Sequence, residues 1–189
     1  MSRQWVTGYR SYELGAFDEQ SPKVKIIKRA LREQLSNLID NGCDWIITGA
    51  QLGTEQWVVE IAAELKKEFP GQFQIAVMLP FTEFGSQWNE TNQLKLQQTL
   101  ARADFSTTVS NRPYHSPQQL KNYQQFMLTH TDGAFLLYDT ENEGKAHYDV
   151  TAIQRFQEHH PYTCQFLDFD DLQEVANQYE AEINSEFEE

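Results

Sequence analysis

Short apolar runs alternate along this chain with longer stretches whose apolar residues fall at helical spacing. The runs at 5–8, 45–47, 73–79, 105–109, 133–139 and 163–167 read as strands, several of them rich in β-branched or aromatic residues. The run at 133–139 is continuously apolar, which suits a central strand covered on both faces. Between the first two runs, Ser21 and Pro22 supply a cap and a first-turn proline. Ile26, Ile27, Ala30, Leu31, Leu35, Leu38 and Ile39 then form a helical stripe that Asn41-Gly42 terminates. Val58, Val59, Ile61, Ala62 and Leu65 make the stripe of a second helix, which starts at 55 and stops at Pro70-Gly71. Further helices are predicted over 89–103, 117–130 and 147–159, and a last one from 170 onward.

Strands alternating with helices of this length predict an α/β fold with a mainly parallel, doubly wound sheet of about six strands and helices on both faces. Right-handed crossovers then bring every strand-to-helix loop to one edge of the sheet. Ligands of such sheets bind at that carboxyl edge, where strand order reverses. Three loops with polar or glycine chemistry fall there, at 8–13, 49–55 and 138–145. The middle one is central to the expectation: Trp45-Ile46-Ile47 runs into Thr48-Gly49-Ala50-Gln51-Leu52-Gly53-Thr54-Glu55 and on into a helix. A strand, a glycine turn and a helix N-terminus present backbone N–H groups and the positive end of a helix dipole to a crevice. The alternative is that Gly49 and Gly53 only close a tight turn.

The length, 189 residues, suits one domain, with 1–167 as the folded unit and 168–189 as a C-terminal helix and acidic tail packed on it or trailing from it. Hydrophobic content of 40% with 13% aromatics argues for a folded globule. No apolar run approaches the roughly 18 residues of a membrane span, and the first residues lack the apolar core of a signal peptide. Cys43 and Cys164 are isolated, which fits a reducing cytoplasm and gives no metal-type pair. Nine acidic residues between 168 and 189, with no Lys or Arg among them, account for most of the net charge of −13 and leave −4 on the preceding 167 residues. The one basic cluster, Lys23, Lys25, Lys28, Arg29 and Arg32, lies on a single predicted helix and reads first as a solvated face. A nucleic-acid partner is therefore disfavoured.

Thr7-Gly8-Tyr9-Arg10-Ser11-Tyr12-Glu13-Leu14-Gly15, Thr48 to Trp57 and Leu137-Tyr138-Asp139-Thr140-Glu141-Asn142-Glu143-Gly144 together resemble the YpsA family, a bacterial family of the SLOG superfamily that also holds DprA and the LOG-type "lysine decarboxylase-like" proteins. The likeness runs over nearly the whole chain up to the acidic tail. It implies a Rossmann-like fold with a pocket for a nucleotide or nucleotide derivative, and a link of some members to bacterial cell division. It fixes no reaction. The LOG enzymes cleave nucleoside monophosphates through a Pro-Gly-Gly-x-Gly-Thr-x-x-Glu motif after a later strand. Here the matching place is Tyr138-Asp139-Thr140-Glu141-Asn142-Glu143-Gly144-Lys145, without the double glycine or the Gly-Thr.

The candidate ligand-binding residues are Gly8, Arg10, Gly49, Ala50, Gly53, Thr54, Glu55, Tyr138, Asp139, Glu143 and Gly144, with Glu55 and Asp139 the catalytic candidates. Thr54 alternatively caps its helix. Glu55 alternatively serves the helix dipole, and otherwise bonds ribose hydroxyls or acts as a general base. Arg10 suits phosphate; the alternative is a surface ion pair with Glu13 or Asp18. Asp139 and Glu143 could bind hydroxyls, an amine or Mg²⁺, but two acids are a weak metal signal, and no metal is assigned. Trp57, Trp88, Tyr9, Tyr12, Phe81 and Phe84 offer stacking surface, although core packing is the commoner fate of such rings. The expected function is binding of a nucleotide-type small molecule, in a regulatory role. A nucleotide-processing hydrolase is the alternative, and single-stranded DNA binding ranks below both. No cofactor is certain beyond that ligand. A second copy of the chain and a cell-division protein are candidate partners.

Overall fold

In a computed structural model, residues 1–187 are described, and the last two residues of the acidic tail lie outside that range. The strands are β1 (Ser2–Gly8), β2 (Cys43–Thr48), β3 (Gln74–Leu79), β4 (Phe105–Thr108), β5 (Gly133–Leu137) and β6 (Thr163–Leu167). They form one sheet in the order β4-β3-β2-β1-β5-β6, and every pairing is parallel. Helices α1 (Pro22–Asp40), α2 (Thr54–Leu65), α3 (Glu90–Arg102), α4 (Gln118–Thr129), α5 (His147–Gln157) and α6 (Phe169–Glu186) connect and follow the strands. The chain walks outward from β1 to β4, then returns to the far side of β1 at β5, so strand order reverses between β1 and β5. Right-handed crossovers put α1, α2 and α3 on one face and α4 and α5 on the other. α1 packs on α2 and α6, α2 on α3, and α4 on α5.

Local chemistry explains most element boundaries. The Ser21 hydroxyl accepts the Val24 amide (3.3 Å) with Pro22 in the first turn. Val24, Ile27, Ala30, Leu31, Leu35 and Ile39 are the residues that α1 buries. All five residues of β5 are buried, while β4 at the sheet's edge is mostly exposed. β1 begins at Ser2, earlier than hydrophobicity predicts, because Ser2 to Gln4 pair with Cys43 to Ile46 through their backbone. β5 ends at Leu137: the Tyr138 amide still donates to the Leu167 carbonyl of β6 (3.0 Å), but the Asp139 amide turns away to the Tyr9 phenol (2.8 Å). The core is a single cluster that includes Trp5, Leu31, Leu35, Ile46, Leu65, Ile75 and Leu136. Among the described residues no helix is long and apolar enough to cross a membrane.

The basic residues of α1 are largely matched by acids. Lys28 pairs with Glu19 and Glu60, Arg29 with Glu182 of α6, and Arg32 with Glu64 and Glu68.

The loop after β1 is docked on the turn after β2. The Ser11 amide donates to the Leu52 carbonyl (3.0 Å), and the Thr54 amide and hydroxyl both donate to the Tyr9 carbonyl (3.1 and 2.8 Å). Gly53 makes this contact possible. Its φ is +108°, and a Cβ would collide with the Ser11 nitrogen and lie 2.8 and 2.9 Å from Arg10 and Tyr9 backbone atoms. Gly53→Ala should therefore cost about 2 kcal/mol or more from backbone strain alone, and lower Tm by roughly 5 °C or more. Thermal melts against the parent protein check this, and a change within one degree would contradict the docking.

Candidate functional site

The three sequence-nominated loops do meet at the carboxyl edge, but they meet one another. Tyr9 is buried at the β1–β5 reversal, its hydroxyl donating to the Asn142 carbonyl (2.5 Å) and accepting the Asp139 amide. Its ring lies against Tyr138 (5.8 Å between centroids) and Phe169 (5.4 Å). A short 3-10 helix, Ser11–Leu14, follows, where the sequence predicted only a loop. Its Glu13 carboxylate accepts the Arg10 amide (2.7 Å) and the Lys145 amide (2.6 Å), tying the loops after β1 and β5 together.

Several nominated residues are thereby occupied by protein. A Cβ at Gly8 would lie 2.6 Å from the Leu137 carbonyl, and one at Gly144 would lie 2.7 Å from Glu13 Oε1, so both glycines make room for the chain itself. Tyr138 is buried. The Asp139 carboxylate accepts the Glu141 amide (2.8 Å) and the Phe169 amide at the start of α6 (3.1 Å), and those bonds hold its pKa below the usual carboxylate range. Glu143 is exposed, 3.9 Å from His147. The cap weighed as the alternative for Thr54 is not formed: Gly53 is the N-cap of α2, and the Thr54 hydroxyl donates to the Tyr9 carbonyl. The ion pair expected as an alternative for Arg10 is not formed either, because Glu13 is engaged with backbone amides. Trp57 is in the core. Among the described residues no group of three or more His, Cys, Asp or Glu could hold a metal ion.

The ionisable side chains that the loop seams leave without an ion pair gather around the buried Gly49. A Cβ there would collide with Glu55 Oε2 and lie 2.8 Å from the Tyr123 hydroxyl, so glycine admits a carboxylate and a phenol at the end of β2. Glu55, in the first turn of α2, is buried; it accepts the Thr7 hydroxyl (2.9 Å) and the Gln51 amide (2.7 Å). The neighbouring Ala50 is buried and its carbonyl accepts the Gln56 side chain. Near enough to feel Glu55, Asp149 in the first turn of α5 accepts the side-chain amide of Gln124 in α4 (2.7 Å).

Burial raises the Glu55 pKa, against the Gln51 bond, the Arg10 guanidinium and the Thr7 bond. Burial likewise raises Asp149 to about 6, with the Gln124 bond and Arg10 opposing and Glu55 adding to it. The Tyr123 phenol is pushed up by burial and then by both carboxylates. Arg10 is the one cation felt by all three groups, and among the described residues neither carboxylate forms an ion pair. Two acids, a phenol and a guanidinium in one crevice can bind hydroxyl or amine donors and a phosphate, or share a proton.

Sequence reasoning found Gly49, Glu55 and Arg10 but not Thr7 as a bond donor, nor Tyr123, Gln124 and Asp149. Tyr123 and Gln124 sit in a helix without a motif. Asp149 carried one signal, its place in the first turn after the fifth strand.

A parallel six-stranded sheet with this reversal and a crevice at its carboxyl edge defines a Rossmann-like α/β domain. The family model described as the YspA SLOG family (YpsA) matches residues 4–172, and the chain belongs to that family. A "UPF0398 protein" of Lactiplantibacillus plantarum is 54% identical over 187 residues, covering 99% of this chain and 98% of the relative. Proteins of the same name from Levilactobacillus brevis (54% over 185 residues, 98% and 97% covered) and Oenococcus oeni (52% over 183 residues, 96% and 97% covered) are similarly close.

The shifted carboxylates set a pH dependence. Asp149 has a folded pKa of about 6 against 3.8 ordinarily. Its contribution to stability is therefore fully present below about pH 4 and lost as pH rises through about 6. Asp149→Asn should flatten that fall and stabilise the ligand-free protein at pH 8 by about 1–2 kcal/mol. Thermal melts from pH 4 to 8 give the comparison, and parallel curves for variant and parent would refute the assignment.

Proposed function

We propose that this chain binds a nucleotide-type small molecule at the carboxyl edge of the sheet, in a regulatory role. The observation that carries the reading is the pair Glu55 and Asp149, both raised in pKa by burial, Glu55 close enough to act on Asp149, and neither with an ion-pair partner among the described residues. Partly desolvated acids of this kind call for hydrogen-bond donors. A ribose diol offers two such donors, and Arg10 beside them suits a phosphate. The family likeness supports the regulatory role and a cell-division protein as partner.

A second reading, a nucleotide-processing hydrolase, is favoured by one feature. A carboxyl group titrating near pH 6 beside another carboxylate is suitable equipment for general acid–base catalysis. Single-stranded DNA binding ranks last, since Lys28, Arg29 and Arg32 are already paired with acids.

Native mass spectrometry of freshly purified protein should show a co-purifying nucleotide-like mass, or thermal shift against a nucleotide panel should find a stabilising ligand, with about 2.7 kcal/mol gained at a hundredfold excess over Kd. Glu55→Gln should abolish that stabilisation while the ligand-free Tm stays within a few degrees of the parent, because the amide can still bond Thr7 and Gln51. A ligand recovered intact supports the binder, and a ligand consumed supports the hydrolase. A panel without any stabilising nucleotide, together with no bound mass, would overturn both.

A further inference from the structure

A second feature of the carboxyl edge lies outside the carboxylate cluster. Beyond β3 the loop 80–88 folds back under the turn that carries Pro113 and Tyr114, and the two enclose a hollow of about 490 Å³. Four rings wall it. Phe81 sits 5.3 Å from Tyr114 and 5.7 Å from Phe84, and Phe84 sits 5.2 Å from Trp88. All three pairs are inclined at 52–73°, so the rings stand around the space instead of stacking on one another. Tyr114 is half exposed, at 51%.

The wall is held in place. The Thr82 amide donates to the Arg112 carbonyl (3.1 Å), and the Gln93 side chain of α3 donates to the Ser86 and Trp88 carbonyls (3.1 and 2.7 Å). Glu83 in this loop is the one non-glycine residue at positive φ among the described residues (60°). Strain of that kind persists only where the surroundings enforce it, and it concentrates at ligand sites. Gln51 completes the lining, and its amide bonds the Glu55 carboxylate. The aromatic hollow and the Glu55 crevice therefore share a residue as their common wall.

We propose that this hollow is the subsite for the heteroaromatic ring of the ligand, seating a nucleobase among Phe81, Phe84, Trp88 and Tyr114 while the sugar and phosphate reach past Gln51 to Glu55, Asp149 and Arg10. The inference rests on the nucleotide reading above and adds its orientation. The volume fits a small-molecule site. Aromatic rings accept any base by its π-face, and Glu83 and Gln87 add polar groups to the same lining.

Isothermal titration with the four ribonucleosides, their 5′-monophosphates and ribose 5-phosphate tests the arrangement on the parent, Tyr114→Ala, Phe81→Ala and Glu55→Gln proteins. Truncating either ring should weaken nucleosides and nucleotides by roughly tenfold or more, with ribose 5-phosphate unchanged. Tyr114 is exposed enough for its variant to fold as the parent does, which keeps the test valid if Phe81→Ala melts. Unchanged nucleotide affinity in both ring variants, with affinity lost in Glu55→Gln, removes the aromatic subsite and leaves the nucleotide reading standing. Equal weakening of ribose 5-phosphate also removes it, since the rings would then act only through the fold. Failure of every probe to bind the parent overturns the subsite and the reading beneath it together.

Discussion

The absence of a side chain at Gly53 is the constraint on which the carboxyl edge depends. With a Cβ at that position the loop after β1 could not lie against the turn after β2, and the Tyr9 carbonyl would lose both donors from Thr54. That seam fixes where α2 begins. It also places Thr7 under Glu55 and brings Arg10 to the crevice that Glu55 and Asp149 share. Tyr9 extends the same seam to β5 through Asp139 and Asn142, and Glu13 extends it to Lys145. Three loops are thus joined into one rim by backbone hydrogen bonds and by the Tyr9 and Glu13 side chains, so a ligand need not assemble it by itself.

A rim built this way decides which groups remain open. Each hydrogen bond that joins the loops consumes a donor that the sequence offered to a phosphate. The amides of Arg10, Ser11, Gln51 and Thr54 are all engaged. The open chemistry is therefore mainly that of side chains: Glu55, Tyr123 and Asp149, with Arg10 as the nearby cation. Burial works against both carboxylates, and Glu55 works against Asp149, so the ligand-free site holds electrostatic strain. A partner that donates hydrogen bonds relieves it.

The sheet, its six strands and the alternation with helices were legible because hydrophobic period and cap residues are local signals. Ser21-Pro22 and Asn41-Gly42 marked the ends of α1 without reference to the rest of the chain. The glycines at 8, 49, 53 and 144 were legible as close approaches, but not what approached them. At Gly53 it is Ser11, at Gly8 it is Leu137, at Gly144 it is Glu13, and at Gly49 it is Glu55. Glu55 lies in the same loop as Gly49, but the other three identities are set by packing between segments far apart in the chain, more than a hundred residues in two cases, and no window of sequence holds them. Tyr123 and Asp149 stayed hidden for the same reason: α4 and α5 reach the crevice only because the chain crosses to the sheet's other face after β4. Phe81, Phe84 and Trp88 were visible as aromatic surface, whereas Tyr114 joins them only through the pairing of Thr82 with Pro113.

The loop after β5 bears on whether the site binds or reacts. In the LOG enzymes this position supplies a catalytic motif, and here it is fastened to Glu13, Tyr9 and Phe169, with Asp139 turned to cap backbone amides. Any reaction would have to rest on Glu55 and Asp149. Glu55 already accepts a hydroxyl and a backbone amide, which fixes its oxygens, although burial outweighs those bonds and raises its pKa. A carboxylate held in that way is well suited to receive a ligand's hydroxyl and less suited to take a proton from water. Asp149 has a single side-chain donor in Gln124 and titrates near 6, so the proton-transfer capacity of the site falls on it. Two acids both raised by burial, one of them with its oxygens already bonded, fit recognition of a donor pair better than the two opposed roles that hydrolysis assigns to its acids. On that balance the binding reading stands ahead of the enzymatic one.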